Sequence, residues 1–222
     1  MPEHPGYAGD PTQHAESRAC SREPHSADAG HDDVMHLGQL VSTFSAEPAI
    51  PLSMPDDLTA LESLGGASLS GGLFRWFDAD AQVLWGALAR AAFPLLSERI
   101  RPFAADWLGR QFALDLGRLD GDRQPQILLL DVGAGEVLEV PTSLRGFHEE
   151  ELVTFHDAAV ASAFYQDWRQ RTGDAEPLSL RECVGYTVPL FLGGEDSVEN
   201  LSRTDADVYW TLTGQLLEQV RP

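Results

Sequence analysis

The stretch from Gln124 to Pro141, QPQILLLDVGAGEVLEVP, leaves the chain little conformational choice. Two runs rich in β-formers, Ile127 to Asp131 and Val137 to Val140, are separated by Gly133-Ala134-Gly135, a spacing that predicts an antiparallel hairpin. Upstream, FAADWLGRQFALDL and GLFRWF supply further strand-like runs bounded by glycine. Between and after them the period changes from two to 3.6. PDDLTALESL opens on Pro55 and stops at Gly65-Gly66, which reads as a short helix. Asp78 can cap a helix over 78 to about 93, with Val83, Leu84, Leu88, Ala91 and Leu95 recurring at helical spacing and Pro94 closing it.

Helical periodicity returns from Phe147, where Leu152, Phe155, Val160, Phe164 and Trp168 share a face, Arg169 and Arg171 suit the last turn, and Gly173 stands at the C-terminus. The last helix follows from Thr204 and Asp207 at capping-box spacing and from the stripe Val208, Leu212, Leu216 and Val220, which predicts the face docked on the sheet. Strands and helices mix without regular βαβ alternation, so the predicted class is α+β: a small, mostly antiparallel sheet packed by helices. Residues 1–48 carry five of the seven histidines among small polar residues and are expected to be a disordered Pro/His-rich tail. His4, His14, His25, His31 and His36 lack short chelating repeats, so no metal is assigned to them.

Over 222 residues, 35 acids face 15 basic residues, all of them arginine, for a formal charge of -20. Such a charge repels nucleic acid and anionic lipid and steers cationic partners over about a Debye length, roughly 8 Å at physiological salt. No apolar run approaches the roughly 20 residues of a membrane span, and no secretory leader is visible, so the expectation is a soluble cytoplasmic protein. Cys20 and Cys183 provide neither a disulfide framework nor a zinc knuckle, and Cys183 in CVGYTVPLFL reads as core.

Tests for catalytic chemistry return nothing specific. FLGGEDSVEN has adjacent glycines but no lysine, and its three carboxylates oppose phosphate. The spacing of Glu195, Asp196 and Glu199 is not that of a calcium loop. FHEEELVTFH lacks the His-Glu-x-x-His order; its histidines sit about 12 Å apart along a helix, and the segment reads as a solvated first turn. No Gly-x-Ser-x-Gly elbow occurs. No cofactor and no catalytic residue are assigned, and the predicted activity is binding. In VPLFLGGEDSVENL, Val188 to Leu192 reads as a buried strand-like run before a glycine turn.

GGLFRWFDADAQVLWGAL, FAADWLGRQFALD, LLLDVGAGEVLEVP and CVGYTVPLFLGGEDSVENLSRTDADVYWTLTGQLLEQV occur here in an order that resembles the immunity proteins protecting bacteria from DNase toxins of type VI secretion systems. The resemblance has a GAD-like part, residues 55–115, and a C-terminal domain of otherwise unknown function, residues 116–222. The second part rests on Pro189, the run to Leu192, Gly193-Gly194, Asn200-Leu201, Tyr209-Trp210 and Gly214-Gln215-Leu216. Asp106-Trp107 before Leu108-Gly109 departs from the phenylalanine-glycine-aspartate of that family. The resemblance implies a non-catalytic binder that occludes a basic nuclease toxin. Its candidate contact residues are Glu195, Asp196, Glu199, Asp205, Asp207, Glu149 and Glu150. Two alternatives are a SUKH-like or housekeeping interaction domain without a toxin, and a metal-dependent hydrolase using the acids between Glu195 and Asp207. The oligomeric state is not legible.

Overall fold

A computed structural model describes residues 34–56 and 60–221. In chain order the elements open with strand β1 (Val34–His36), helix α1 (Gly38–Thr43), β2 (Ala46–Glu47), β3 (Ser53–Pro55), α2 (Ala60–Leu64), β4 (Ser68–Leu69), β5 (Phe74–Trp76) and α3 (Ala79–Ala92). The long strands follow: β6 (Ile100–Asp106), β7 (Gln111–Leu119), β8 (Pro125–Asp131) and β9 (Glu136–Val140). Next come α4 (Leu144–Gly146), a π-turn over Phe147–Glu151, α5 (Leu152–Thr154), α6 (His156–Val160) and α7 (Ser162–Thr172). The chain closes with β10 (Glu182–Tyr186), β11 (Leu201–Asp205) and α8 (Ala206–Val220).

The main sheet has the order β2-β4-β5-β6-β7-β8-β9, and each neighbouring pair is antiparallel. The predicted α+β class holds, and the predicted hairpin is β8–β9, with Asp131 opposite Glu136. Why Ile127 to Leu130 is continuously apolar follows from the layering. Side chains alternate between faces of a strand. Ile127 and Leu129 enter one core with Phe112, Phe147, Leu152 and Trp168, while Leu128 and Leu130 enter another with Trp85, Ala89, Tyr209 and Trp210. Helices therefore cover both faces: α4 to α7 on one side, α3 and α8 on the other. The β9 edge carries the exposed acids Glu136 and Glu139.

Several sequence expectations need correction. Residues 34–48, placed in the tail, carry β1, α1 and β2; the rest of that tail lies outside the described residues. The division at 115/116 falls within β7, and the described residues belong to one compact unit. Asp78 does cap α3, its Oδ1 accepting from Ala81 N at 2.8 Å, but the helix buries Ala81, Trp85, Leu88, Ala89 and Ala92, with Val83 and Leu95 exposed. One indole outweighs two aliphatics at the rim, because an aromatic side chain buries about 200 Å². The single helix predicted from Phe147 to Gly173 is broken by Ala161 at φ +50°, where Asp157 Oδ1 accepts from Ala163 N and so satisfies an orphan donor at the start of α7. Its end is as predicted: Gly173 is left-handed and donates to Arg169 O.

Four tryptophans hold the layers together through their single donors. Trp107 Nε1 donates to Val160 O (3.0 Å), Trp85 Nε1 to Leu180 O (2.8 Å), Trp210 Nε1 to Gly109 O (2.8 Å) and Trp76 Nε1 to His148 (2.9 Å). The Asp106-Trp107-Leu108-Gly109 turn that departs from the family pattern is a junction. Trp107 O accepts from Val184 N at 2.7 Å, and a Cβ at Gly109 would lie 2.9 Å from that of Cys183.

Beneath this turn Arg75 is 1% exposed. Its Nη1 donates to Ser179 O and Glu182 O, and its Nη2 to Asp106 O, each at 2.5 Å. Burial drives its pKa down, against the attraction of Cys183, Asp106, Tyr165 and Glu182. Substituting Arg75→Met should cost about 3 kcal/mol, because three buried carbonyls lose their donors. Urea unfolding of the two proteins measures this, and an unchanged midpoint would refute the assigned role.

Candidate partner-binding surface

The C-terminal surface is built from the β10–β11 hairpin, the loop 187–200 between its strands, and α8. In the hairpin, Glu182 pairs with Asp205 and Tyr186 with Leu201. Asn200 clamps the loop: its Oδ1 accepts from Val188 N (2.9 Å), and its Nδ2 donates to Val188 O (2.8 Å) and Glu195 O (2.9 Å). Gly193 is left-handed at φ +87°, as the predicted turn requires, and a Cβ on Gly194 would stand 1.9 Å from Val188 O. The resemblance residues Gly193-Gly194 and Asn200 thus have a geometric reason. The buried strand predicted for Val188 to Leu192 is not present. Leu190–Leu192 is a 3-10 turn, with Val188 and Leu192 exposed, while Pro189 is buried and Leu190 N donates to Gly133 O.

Helix α8 begins one residue later than its predicted capping box. Asp205, rather than Thr204, is the N-cap, and its Oδ1 accepts from Val208 N at 3.1 Å. The larger correction concerns its faces. Tyr209, Trp210, Thr213 and Leu217 are buried against the sheet side, whereas Val208, Leu212, Leu216 and Val220 are 51%, 57%, 38% and 51% exposed. The helix carries two interleaved apolar series, and the one with the aromatics takes the core because it removes more apolar area from water. Beside the outward series runs a groove of about 350 Å³, lined by Tyr186, Pro189, Arg203 and Tyr209 together with Val208, Leu212 and Leu216.

The seven candidate acids divide by what they already hold. Glu149 accepts from His36 N (2.6 Å) and pairs with Arg145, so it ties β1 to the π-turn. Asp205 is committed to the helix cap. Asp196 accepts from the Tyr186 hydroxyl at 2.6 Å, Glu199 pairs with Arg171 at 3.0 Å, and Asp207 accepts from Thr211 Oγ1 at 3.2 Å. Glu150 and Glu195 are exposed. Glu195, Asp196, Glu199, Asp205 and Asp207 therefore share the C-terminal module, whereas Glu149 and Glu150 belong to the segment after β9. Among the described residues, no three His, Cys, Asp or Glu side chains converge as metal ligands, and no helix is long and apolar enough to cross a membrane. Cys183 is buried, and burial pushes its thiol up to about 12.

A family model described as "T6SS immunity protein Tdi1, C-terminal" matches residues 150–217. The segment that forms α5 to α7, β10, β11 and most of α8 is thus similar to the C-terminal part of a type VI secretion immunity protein. The crystal structure of Atu4351 from Agrobacterium tumefaciens aligns over 67% of this chain and 69% of that one, with a TM-score of 0.43 and 17% identity. No curated protein matches. The Tdi1-like segment contains the groove, Val208, Leu212 and Leu216 of the outward α8 series, and six of the seven candidate acids.

Next to Glu149, His148 is fully buried, not solvated as predicted. Trp76 Nε1 can only donate, so His148 Nε2 accepts and Nδ1–H donates to Leu144 O at 2.8 Å; the ring is neutral. Burial lowers its pKa from 6.5 to about 4. Because the unfolded ring protonates first, this group's contribution is present above 6.5 and is lost as pH falls through 6.5 to 4. Asp106 has the opposite sign: burial raises it from 3.8 to about 6 despite Arg110, so its contribution weakens as pH rises across that window. His148→Gln, which can keep both bonds, should remove the His148 share of the pH dependence, a loss of up to about 3 kcal/mol between pH 6.5 and 4 that Asp106 offsets in the wild type. Urea titrations at stepped pH test this, and parallel curves for the two proteins would exclude His148 as the titrating group.

Proposed function

We propose that this protein is a non-catalytic immunity protein that binds and occludes a basic, nuclease-type toxin delivered by a type VI secretion system, acting in the cytoplasm. The observation that carries the reading is the Tdi1-like match over residues 150–217. The charge of -20 agrees with it: a nuclease surface must be cationic to hold phosphate, so an acidic inhibitor is steered to it. The GAD-like reading of residues 55–115 belongs to the same proposal and rests on GGLFRWFDADAQVLWGAL and FAADWLGRQFALD alone.

Within this reading the candidate contacts rank by what each side chain already holds. Glu195 leads, since it is exposed on a clamped loop and its backbone oxygen, not its carboxylate, serves the Asn200 clamp. Asp207 and Glu150 follow, while Glu149 and Asp205 are held by internal contacts. The metal-dependent hydrolase alternative loses ground because the acids from Glu195 to Asp207 serve separate partners instead of meeting at one point.

Co-expression with the toxin encoded beside its gene should restore growth, and the purified complex should weaken as salt rises. Glu195→Lys with Asp207→Lys should slow association by about threefold or more at low ionic strength, with a smaller effect on dissociation. Growth rescue and stopped-flow binding read these out. Failure of the wild-type chain to protect against the adjacent toxin would sink the reading.

A further inference from the structure

Helix α8 leaves an apolar series uncovered that a solvated helix would normally replace with polar residues. From Val208 to Val220 it runs about 18 Å along the helix, three turns and more. It borders the groove beneath Tyr186 and Pro189, and the floor is closed by Tyr209, whose ring lies against the Gly185 backbone. A Cβ at Gly185 would sit 2.5 Å from that ring, so strand and helix are locked and the groove is a fixed feature.

What covers such a face is decided by the charges around it. Over residues 182–221 seven carboxylates face two arginines. Arg203 is already held by Glu182 and Asp174, and Arg221 donates to Ala92 O and lies over the Phe93 ring. Neighbouring Arg171 is shared between Asp167 and Glu199. The local arginines are thus engaged, Arg203 lining the groove itself, and the surplus charge around the apolar series is negative, with Asp207 exposed at its N-terminal end. A second copy would bring the same negative rim against this one. The chain's own residues 1–33 are polar, with no run of apolar side chains to fill three helical turns.

We infer that the α8 groove docks a cationic amphipathic segment of the partner protein: apolar side chains at helical spacing seat on Val208, Leu212 and Leu216, and flanking Lys or Arg side chains meet Asp207 and the surplus carboxylates of the adjoining 187–200 loop. This rests on the toxin-binding reading and names the surface and the partner chemistry within it. Burial of the apolar ridge supplies the holding energy, and the acidic rim supplies orientation and selects against a like-charged partner. Such helix-in-groove docking concentrates its energy in a few central apolar contacts, of which Leu212 is the most exposed and central here.

The test uses the full chain and three short synthetic helices: one with leucines at i, i+4, i+7 and i+11 flanked by lysine, one flanked by glutamate, and one with the lysine sequence scrambled. Fluorescence anisotropy should show binding of the lysine-flanked helix only. Leu212→Glu or Leu216→Glu should weaken it by about tenfold or more, and Leu95→Glu, at a 93% exposed site elsewhere, should leave it unchanged. Circular dichroism melts of the variants confirm that they fold. Equal binding of the glutamate-flanked or scrambled helix, or equal binding by Leu212→Glu, overturns the inference. Sedimentation should show a monomer; a dimer that Leu212→Glu dissolves would assign the face to a second copy instead. In the toxin assay, protection by the wild type but equally by Leu212→Glu rejects this surface while leaving the immunity reading intact, whereas absence of wild-type protection rejects that reading.

Discussion

A single buried guanidinium connects the parts of this molecule that sequence would assign to different domains. Arg75 rises from a central strand and spends its Nη donors on the carbonyls of Ser179, Glu182 and Asp106. The first two belong to the approach and start of β10, and the third to the end of β6. A buried arginine without acceptors is strongly unfavourable, so the C-terminal module must return to this point for the N-terminal half to be satisfied. Trp107 O, accepting from Val184 N, and Trp210 Nε1, donating to Gly109 O, then fix the module at one height and angle on the sheet. The groove inherits its shape from that placement.

What was legible in the sequence was local. The β8–β9 hairpin, the Asp78 cap, the Gly173 stop and the Gly193 turn each follow from residue types whose conformational demands act within a few positions. Which face of a helix goes inward was not local. In α3 and α8 more than one apolar series is present, and the choice depends on the sheet opposite. The clue was available in α8: Tyr209 and Trp210 lie off the Val208–Leu212–Leu216 series, so one core face could not accommodate both. The acids show the same limit. Their number was plain, yet only geometry separates Asp205, which caps a helix, from Glu195, which faces solvent.

Rigidity and charge divide the work of the proposed function. The Asn200 clamp, the glycine pair and the strand–helix contact at Gly185 hold the C-terminal surface in one shape, which lowers the ordering cost of binding. Surplus carboxylates around that shape act at longer range. An inhibitor with both properties meets its partner quickly and releases it slowly, the combination that stoichiometric neutralisation requires.

The edge of the main sheet bears on the same requirement. β9 is the last strand, and an unpaired edge is a template for another chain's backbone. Glu136 and Glu139 place negative charge along it, and the opposite edge, β2, is only two residues long. Within the main sheet, both edges are thus poor templates for the backbone of an identical molecule, even with an apolar helix face in the open. Under the proposed function, such a molecule could be kept in store without consuming itself.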